Sequence, residues 1–284
     1  MDQLTPQNPN SIQQMFGAIA GKYDLANTVL SMGIHHSWKR ALVRQSGIKP
    51  GDSILDCATG TGDLAFRFEA ALQSAGSRSS EGARGSGSSE GARGSGSSEG
   101  ARGSDGSEGA RGSGSSEISQ GLQGSVVGSD FCEPMLEVAR IKAAKQGSKV
   151  SFVAADAMNL PFEDSKFDIA SISFGIRNVK DAAQGLSELG RVVKPGGRVL
   201  VLEFGQPQSR IMAGLFGFYS SWVLPRLGGW ISGESAAYGY LQTSSATFPC
   251  GEGFLDLARS TGRFSRVEYR TFQYGIAFLY CLER

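Results

Sequence analysis

Apolar positions in this chain fall into short runs separated by stretches with helical spacing. Ile54 and Leu55 form the first run, which ends in Asp56. A turn of small residues follows (Ala58, Thr59, Gly60, Thr61, Gly62), and then a helix-compatible stretch begins at Leu64, Ala65 and Phe66. Val126 and Val127 lead into Gly128-Ser129-Asp130, a second short strand that ends in an acid. Glu133 to Lys145 reads as a helix with Met135, Leu136, Val138 and Ala139 on its apolar side. A third strand is predicted over Val150 to Ala154, followed by the polar loop Asp156 to Phe162, and a fourth over Phe167 to Ser173. Leu186, Leu189, Val192 and Val193 predict a helix from Ala182 to Val193. Lys194-Pro195-Gly196-Gly197 should stop it before a fifth strand, Arg198 to Glu203.

Strands alternating with helices predict an α/β domain with a mostly parallel sheet and helices on both faces. Ligands of such sheets bind beyond the carboxyl ends of the strands. Asp56, Asp130, Asp156, Ser173 and Glu203 all fall at or near those ends.

One segment fits no core. Arg84, Arg93, Arg102 and Arg111 recur at intervals of nine within SSEGARGSG-like units. Residues 74–121 hold 14 of the chain's 40 glycines and, Ile118 apart, no aromatic or β-branched residue. Such a stretch buries too little apolar surface to offset its ordering entropy, so it is expected to be a disordered insert. No unit carries a hydrophobic position that could stack as a solenoid. The chain then divides into residues 1–73 (N-terminal helices and first strand–helix unit), the 74–121 repeat, and 122–284, the remainder of one domain. With the repeat set aside, Asp130 follows Gly62 by 20 positions. That is where open α/β sheets place an acid for a ribose hydroxyl.

Composition narrows the classes. The 284 residues are 40% hydrophobic with a net charge of +1, which gives no electrostatic case for nucleic acid. Cys57, Cys132, Cys250 and Cys281 form no close pair and read as reduced thiols. The two histidines, His35 and His36, are adjacent, so no metal site of ordinary spacing is expected. The polar opening MDQLTPQNPNSIQQ lacks the blocks of a signal or transit peptide. Ile211 to Ile231 is greasy but interrupted by Pro225, Arg226 and glycines, which suits a substrate pocket better than a membrane span.

The Gly60–Gly62 turn offers a close backbone approach and a helix N-terminus to a nucleotide-like cofactor. Gly60, Gly62 and Ala65 also fit the dinucleotide fingerprint of nicotinamide enzymes. On these residues alone both readings stand, beside an ordinary ligand-free turn.

Further motifs carry a resemblance. DCATGTGD, ADAMNLPF and RVVKPGGRVLVLEF resemble the S-adenosylmethionine-dependent class I methyltransferases. FGAIAGKYDLANTVLSMGIHHSWKR (16–40), FGIRNV (174–179), VLPRLG (223–228) and YGYLQTSSATFP (238–249) are similar to the ubiquinone/menaquinone biosynthesis C-methyltransferase family. The likeness runs from about Phe16 to Leu279 apart from the repeat. HHSW stands where that family more usually has HRxW, and Ala26 where methionine is common.

The resemblance implies a Rossmann-like fold with a seven-stranded sheet, S-adenosylmethionine as cofactor, and methyl transfer to a ring carbon of a prenylated quinol. It implies cofactor contacts at Gly60, Thr61, Asp130 (ribose), Asp156 and Ala157 (adenine), and Ser173. Arg177, Asn178 and Tyr23 become candidates for the chemistry; arginine would steady a phenolate or a water rather than act as a base. Leu215 to Leu227, with the lid from Met15 to Val29, would form the prenyl groove. A cytoplasmic protein working peripherally at the inner face of the membrane is expected, with no nucleic acid, no metal and room for a homo-oligomer. The competing readings are a methyltransferase of another lipophilic acceptor, a non-catalytic accessory protein and a nicotinamide dehydrogenase.

Overall fold

The computed structural model describes residues 8–84, 124–207, 209, 214, 217 and 235–284. Three helices precede the sheet: α1 (Pro9–Ile19), α2 (Tyr23–Leu30) and α3 (Ile34–Ser46), with a short 3₁₀ turn, Ala20–Lys22, between the first two. Pro9 sits in the first turn of α1, where its missing N–H costs nothing, and the Asn8 side chain caps Ser11 N at 3.4 Å. Gly33 and Gly47, both left-handed, bound α3.

The alternation then runs as expected: β1 (Ser53–Cys57), α4 (Asp63–Arg84), β2 (Ser125–Asp130), α5 (Glu133–Gln146), β3 (Ser151–Ala154), β4 (Phe167–Ser173), α6 (Ala182–Val192), β5 (Val193–Phe204). The chain closes with α7 (Ser235–Thr247), α8 (Glu252–Ser260), β6 (Arg266–Phe272) and β7 (Ala277–Glu283). The strands form one seven-stranded sheet in the order β3-β2-β1-β4-β5-β7-β6. The first five are parallel; β7 inserts antiparallel between β5 and β6. This is the Rossmann-like architecture of class I methyltransferases. The order reverses between β1 and β4, and a crevice opens there beyond the strand ends.

Two apolar layers sandwich the sheet. On one face α6 and α8 bring Leu186, Leu189, Phe254 and Leu255 onto Leu55, Ile172 and Val201. On the other, α3 and α4 bring Trp38, Leu42, Leu64 and Phe68 onto Ile54, Leu200 and Leu279. Alternate residues of the central strands serve opposite layers, so both faces are apolar.

Two boundaries differ from expectation. Helix α4 continues through residues 74–84, past the boundary at 73 that composition suggested. Ser74 and Ser77 bond back to the carbonyls of Ala70 and Gln73 (2.8 and 3.1 Å), and extending a formed helix is far cheaper than starting one. The rest of the repeat lies outside the described residues, as does nearly all of Leu215 to Leu227. Secondly, Lys194–Gly197 does not separate helix from strand: β5 already begins at Val193, paired with Phe167. The register shifts before Ile169–Arg198, and the left-handed Gly196 (φ +76°) takes up the offset.

At the end of β5, Gly205 packs directly on the Phe278 ring, and its N–H reaches Ile276 O at 3.0 Å. A methyl group there would overlap the ring. Gly205→Ala should cost about 1–3 kcal/mol by overpacking, read as a lower urea midpoint at unchanged slope; an unchanged midpoint would show that the strand end yields.

Candidate functional site

The turn after β1 is built around two buried carboxylates. Asp56, the inward acid of β1, accepts the Thr59 hydroxyl through one oxygen and the Ser171 hydroxyl through the other, both at 2.7 Å. Burial pushes its carboxyl up to about 6, against these two hydrogen bonds. Asp130, at the end of β2, accepts Gly60 N at 2.8 Å and Cys132 N at 2.9 Å. Burial raises this carboxyl too, while the N–H groups pull it back. Asp130 thereby ties the glycine turn to the start of α5. Gly60 lies at φ +57° and Gly62 at φ +84°, conformations that favour glycine.

The N-terminal helices cover this turn. Gln13 Nε2 donates to Phe131 O at 2.9 Å, and Phe16, Ala20 and Tyr23 pack around Cys132 and Met135. Asp24 joins the lid to the turn: Thr61 Oγ1 donates to it at 2.5 Å, and Lys142 of α5 forms an ion pair with its other oxygen. Further along, Ser31 and His35 Nδ1 share a hydrogen bond of 2.6 Å, and Trp38 Nε1 donates to Gln273 Oε1 at 2.5 Å.

The opposite wall follows β4. Gly175 lies so close to β1 that an added Cβ would come within 2.5 Å of the Ala58 Cβ, so this approach needs glycine. Ile176–Asn178 then forms a 3₁₀ turn that brings Arg177 to the cavity wall. Its guanidinium forms a buried ion pair with Glu203 of β5 and sits 5.4 Å from the centre of the Phe204 ring. The Tyr240 hydroxyl of α7 donates to Asn178 Oδ1 at 2.9 Å. Phe174 and Phe204 rings lie 4.5 Å apart, and Trp38 stands about 6 Å from each.

Together these elements enclose a cavity of about 590 Å³. Gly60, Thr61, Ser173, Arg177 and Tyr23 line it, as expected. Asp130, Asp156, Ala157 and Asn178 do not. Asp130 stands behind the turn, held by backbone N–H groups. Asp156 Oδ1 accepts Met158 N at 2.9 Å within its own loop, Ala157 packs against the core, and Asn178 faces Tyr240. Asp24 lines the cavity beside Tyr23, and so do His35, Trp38, Asp56, Phe174 and Phe204, which the site assignment above omits. For Asp56 the strand-end pattern was a signal; for the aromatic residues nothing local distinguishes wall from core.

The walls fit a cationic, nucleoside-sized ligand. Asp56 supplies a buried carboxylate, and the aromatic faces suit a sulfonium. The buried Ser173 Oγ has no hydrogen-bond partner among the described residues, so the cavity wall holds a polar atom still to be satisfied. Ligand atoms of His35, His36 and Asp63 lie within 4.8 Å of one another. Lys39 and Arg67 already pair with Asp63, holding its carboxyl down at about 2 despite burial, and Arg67 also reaches His36 Nδ1 at 3.0 Å. Those cations leave the cluster ill-suited to a metal ion.

The ubiE/COQ5 methyltransferase family matches residues 4–282. The ubiquinone/menaquinone biosynthesis C-methyltransferase UbiE of Bdellovibrio bacteriovorus is 42% identical, over 96% of this chain and 95% of that protein. A demethylmenaquinone methyltransferase of Deinococcus radiodurans is 34% identical, over 94% and 90%. Among solved structures, the [4+2]-cyclase SpnF superimposes with a TM-score of 0.54 at 13% identity, covering 99% of this chain and 97% of the other; this likeness is of fold alone.

Burial, with Lys39 nearby, pushes His35 down to about 4 from 6.5. The unfolded chain therefore binds a proton that the folded one refuses, and stability falls as pH drops from about 6.5 toward 4. His35→Asn should flatten the fall in melting temperature across that window and leave the region above pH 7 unchanged. Equal slopes in both proteins would assign the acid sensitivity elsewhere.

Proposed function

The chain belongs to the ubiE/COQ5 methyltransferase family, and on that premise we propose that it transfers a methyl group from S-adenosylmethionine to a ring carbon of a prenylated quinol. The observation that carries this reading is one cavity that joins the glycine turn, the Arg177 wall and an apolar lid. S-adenosylmethionine supplies an electrophilic methyl group on a sulfonium sulfur. The family resemblance assigns it to Gly60, Thr61, Asp130, Asp156, Ala157 and Ser173, of which Gly60, Thr61 and Ser173 line the cavity. Gly60 and Thr61 present the turn, Asp130 fixes that turn from behind through Gly60 N, and Ser173 offers its unsatisfied hydroxyl.

A neutral quinol carbon is a weak nucleophile, and ionising the neighbouring hydroxyl raises its electron density. Arginine does not give up its proton at neutral pH, so Arg177 acts by holding the developing phenolate. Its buried Nε has no hydrogen-bond partner among the described residues. Asn178, fixed by Tyr240, steadies the same turn, and Tyr23 closes the lid side. Met15, Phe16, Ile19, Leu30 and Ile34 line the cavity and suit a prenyl chain while excluding water.

The test is methyl transfer from labelled S-adenosylmethionine to short-chain demethylmenaquinol and to the matching benzoquinol, both kept reduced. Product from either supports the reading, and the ratio names the preferred ring. Arg177→Gln should lower kcat about 10²–10³-fold with much smaller change in cofactor affinity. Cofactor binding without product from either ring would overturn the proposal.

The same reading places the protein in the cytoplasm, peripheral at the inner face of the membrane where such a substrate resides. No described helix is long and apolar enough to cross a membrane. Leu25 (60% exposed), Val29 and Met32 (74%) project from α2 and its following turn, and Met32 also lines the cavity mouth. An apolar lip beside a lipid-accepting opening suits insertion among acyl chains. Leu25→Ser/Val29→Ser should reduce sedimentation with phosphatidylethanolamine/phosphatidylglycerol vesicles while preserving turnover of a short-chain quinol. Equal sedimentation of both proteins would remove the lip from that role.

A further inference from the structure

Arg177 brings a positive charge to a cavity assigned to a methyl donor that is itself a cation. Its side chain is 6% exposed, so little water screens it. Arginine cannot relieve such a conflict by deprotonating. Compensation must come from a fixed anion in contact with it. Glu203 is that anion: it is 1% exposed, at the end of β5, with one carboxylate oxygen on the Arg177 guanidinium and on Phe204 N (2.8 Å). Its other oxygen lies 3.5 Å from Arg177 N, so the carboxylate grips both the side chain and the backbone of the 3₁₀ turn.

Stability does not account for this arrangement. A buried ion pair generally gains little over apolar residues of the same volume. Arg177 stands at the cavity wall with Glu203 behind it, and Phe204 and Tyr240 flank the pair. Asp56, the deeply buried carboxylate that does line the cavity, is committed to Thr59 and Ser171.

We infer that Glu203 is a positioning and charge-compensating residue of the methyl-transfer cavity: it orients Arg177 toward the acceptor and cancels its charge, so that a sulfonium can bind beside it. The inference rests on the methyltransferase reading above, yet its signature lies in binding. The sulfonium of S-adenosylmethionine carries a charge that the thioether of S-adenosylhomocysteine lacks, and the two ligands otherwise differ only by the transferable methyl group. The change in the ratio of their affinities between variants of like shape therefore reports the charge beside the sulfur.

The experiment is calorimetric titration of the full chain with each ligand. Glu203→Gln keeps the shape and leaves Arg177 uncompensated; affinity for S-adenosylmethionine should fall about tenfold relative to S-adenosylhomocysteine. Glu203→Asp, which keeps the charge, and the double variant Arg177→Gln/Glu203→Gln, which removes both charges, should hold the wild-type ratio within about twofold. Turnover should be low in the double variant, where Arg177 is gone. Equal weakening of both ligands in Glu203→Gln would reduce Glu203 to a packing role and overturn the inference. A displaced ratio in Glu203→Asp or in the double variant would overturn it as well, and these two variants decide the matter if Glu203→Gln fails to fold. Wild-type protein that binds neither ligand would overturn the methyltransferase reading itself, a different failure from an unmoved ratio.

Discussion

A carboxylate taken out of water must find hydrogen-bond donors, and at the ends of β1 and β2 two such carboxylates find them in the loops around the site. Asp56 draws in the Thr59 and Ser171 hydroxyls; Asp130 draws in the N–H groups of Gly60 and Cys132. The turn after β1 is consequently fixed before any ligand arrives, and α5 is fixed with it. The lid helices then dock on a surface that is already defined, with Phe16, Ala20 and Tyr23 against Cys132 and Met135. Loss of either carboxylate would loosen the turn and the lid together.

The cavity mixes an apolar volume with a few fixed charges, most of them in ion pairs. Arg177 meets Glu203, Asp63 meets Lys39 and Arg67, and Asp24 meets Lys142. Such a site can hold a cationic methyl donor near a ring that must become anionic, because Arg177 is balanced by Glu203 and the Asp56 carboxylate, bonded to hydroxyls alone, favours a cation. The aromatic group of Trp38, Phe174 and Phe204 adds polarisable faces without adding net charge. Chemistry of this kind depends on dry, pre-arranged dipoles more than on any single base.

Much of the fold was legible in the sequence. Five parallel strands and their helices followed from short apolar runs alternating with helical spacing, because strands buried on both faces read as continuous apolar segments. The glycine turn and the acid of β2 followed from strand-end position once the repeat was set aside. The last two strands were not placed: Val267 to Phe272 alternates only weakly, and Ala277 to Tyr280 could equally be a buried helix segment by periodicity alone. The continuation of α4 past residue 73 escaped for the opposite reason, since glycine- and serine-rich composition hides the low cost of extending a helix already begun.

The site divides along the same line. Sequence by itself determined the family, the α/β alternation, the strand-end positions of the acids Asp56 and Asp130, and the local turn at Gly60 and Gly62, whose left-handed backbone favours glycine. Only the tertiary structure decided that Arg177 meets Glu203, that Asp24 of the lid meets Thr61 and Lys142, that Tyr240 holds Asn178, and that Asp130 stands behind the turn rather than on the cavity wall. The physical reason is distance along the chain. A turn or cap is settled by neighbours within a few residues, whereas a buried charge is settled by whichever distant element the sheet order brings against it.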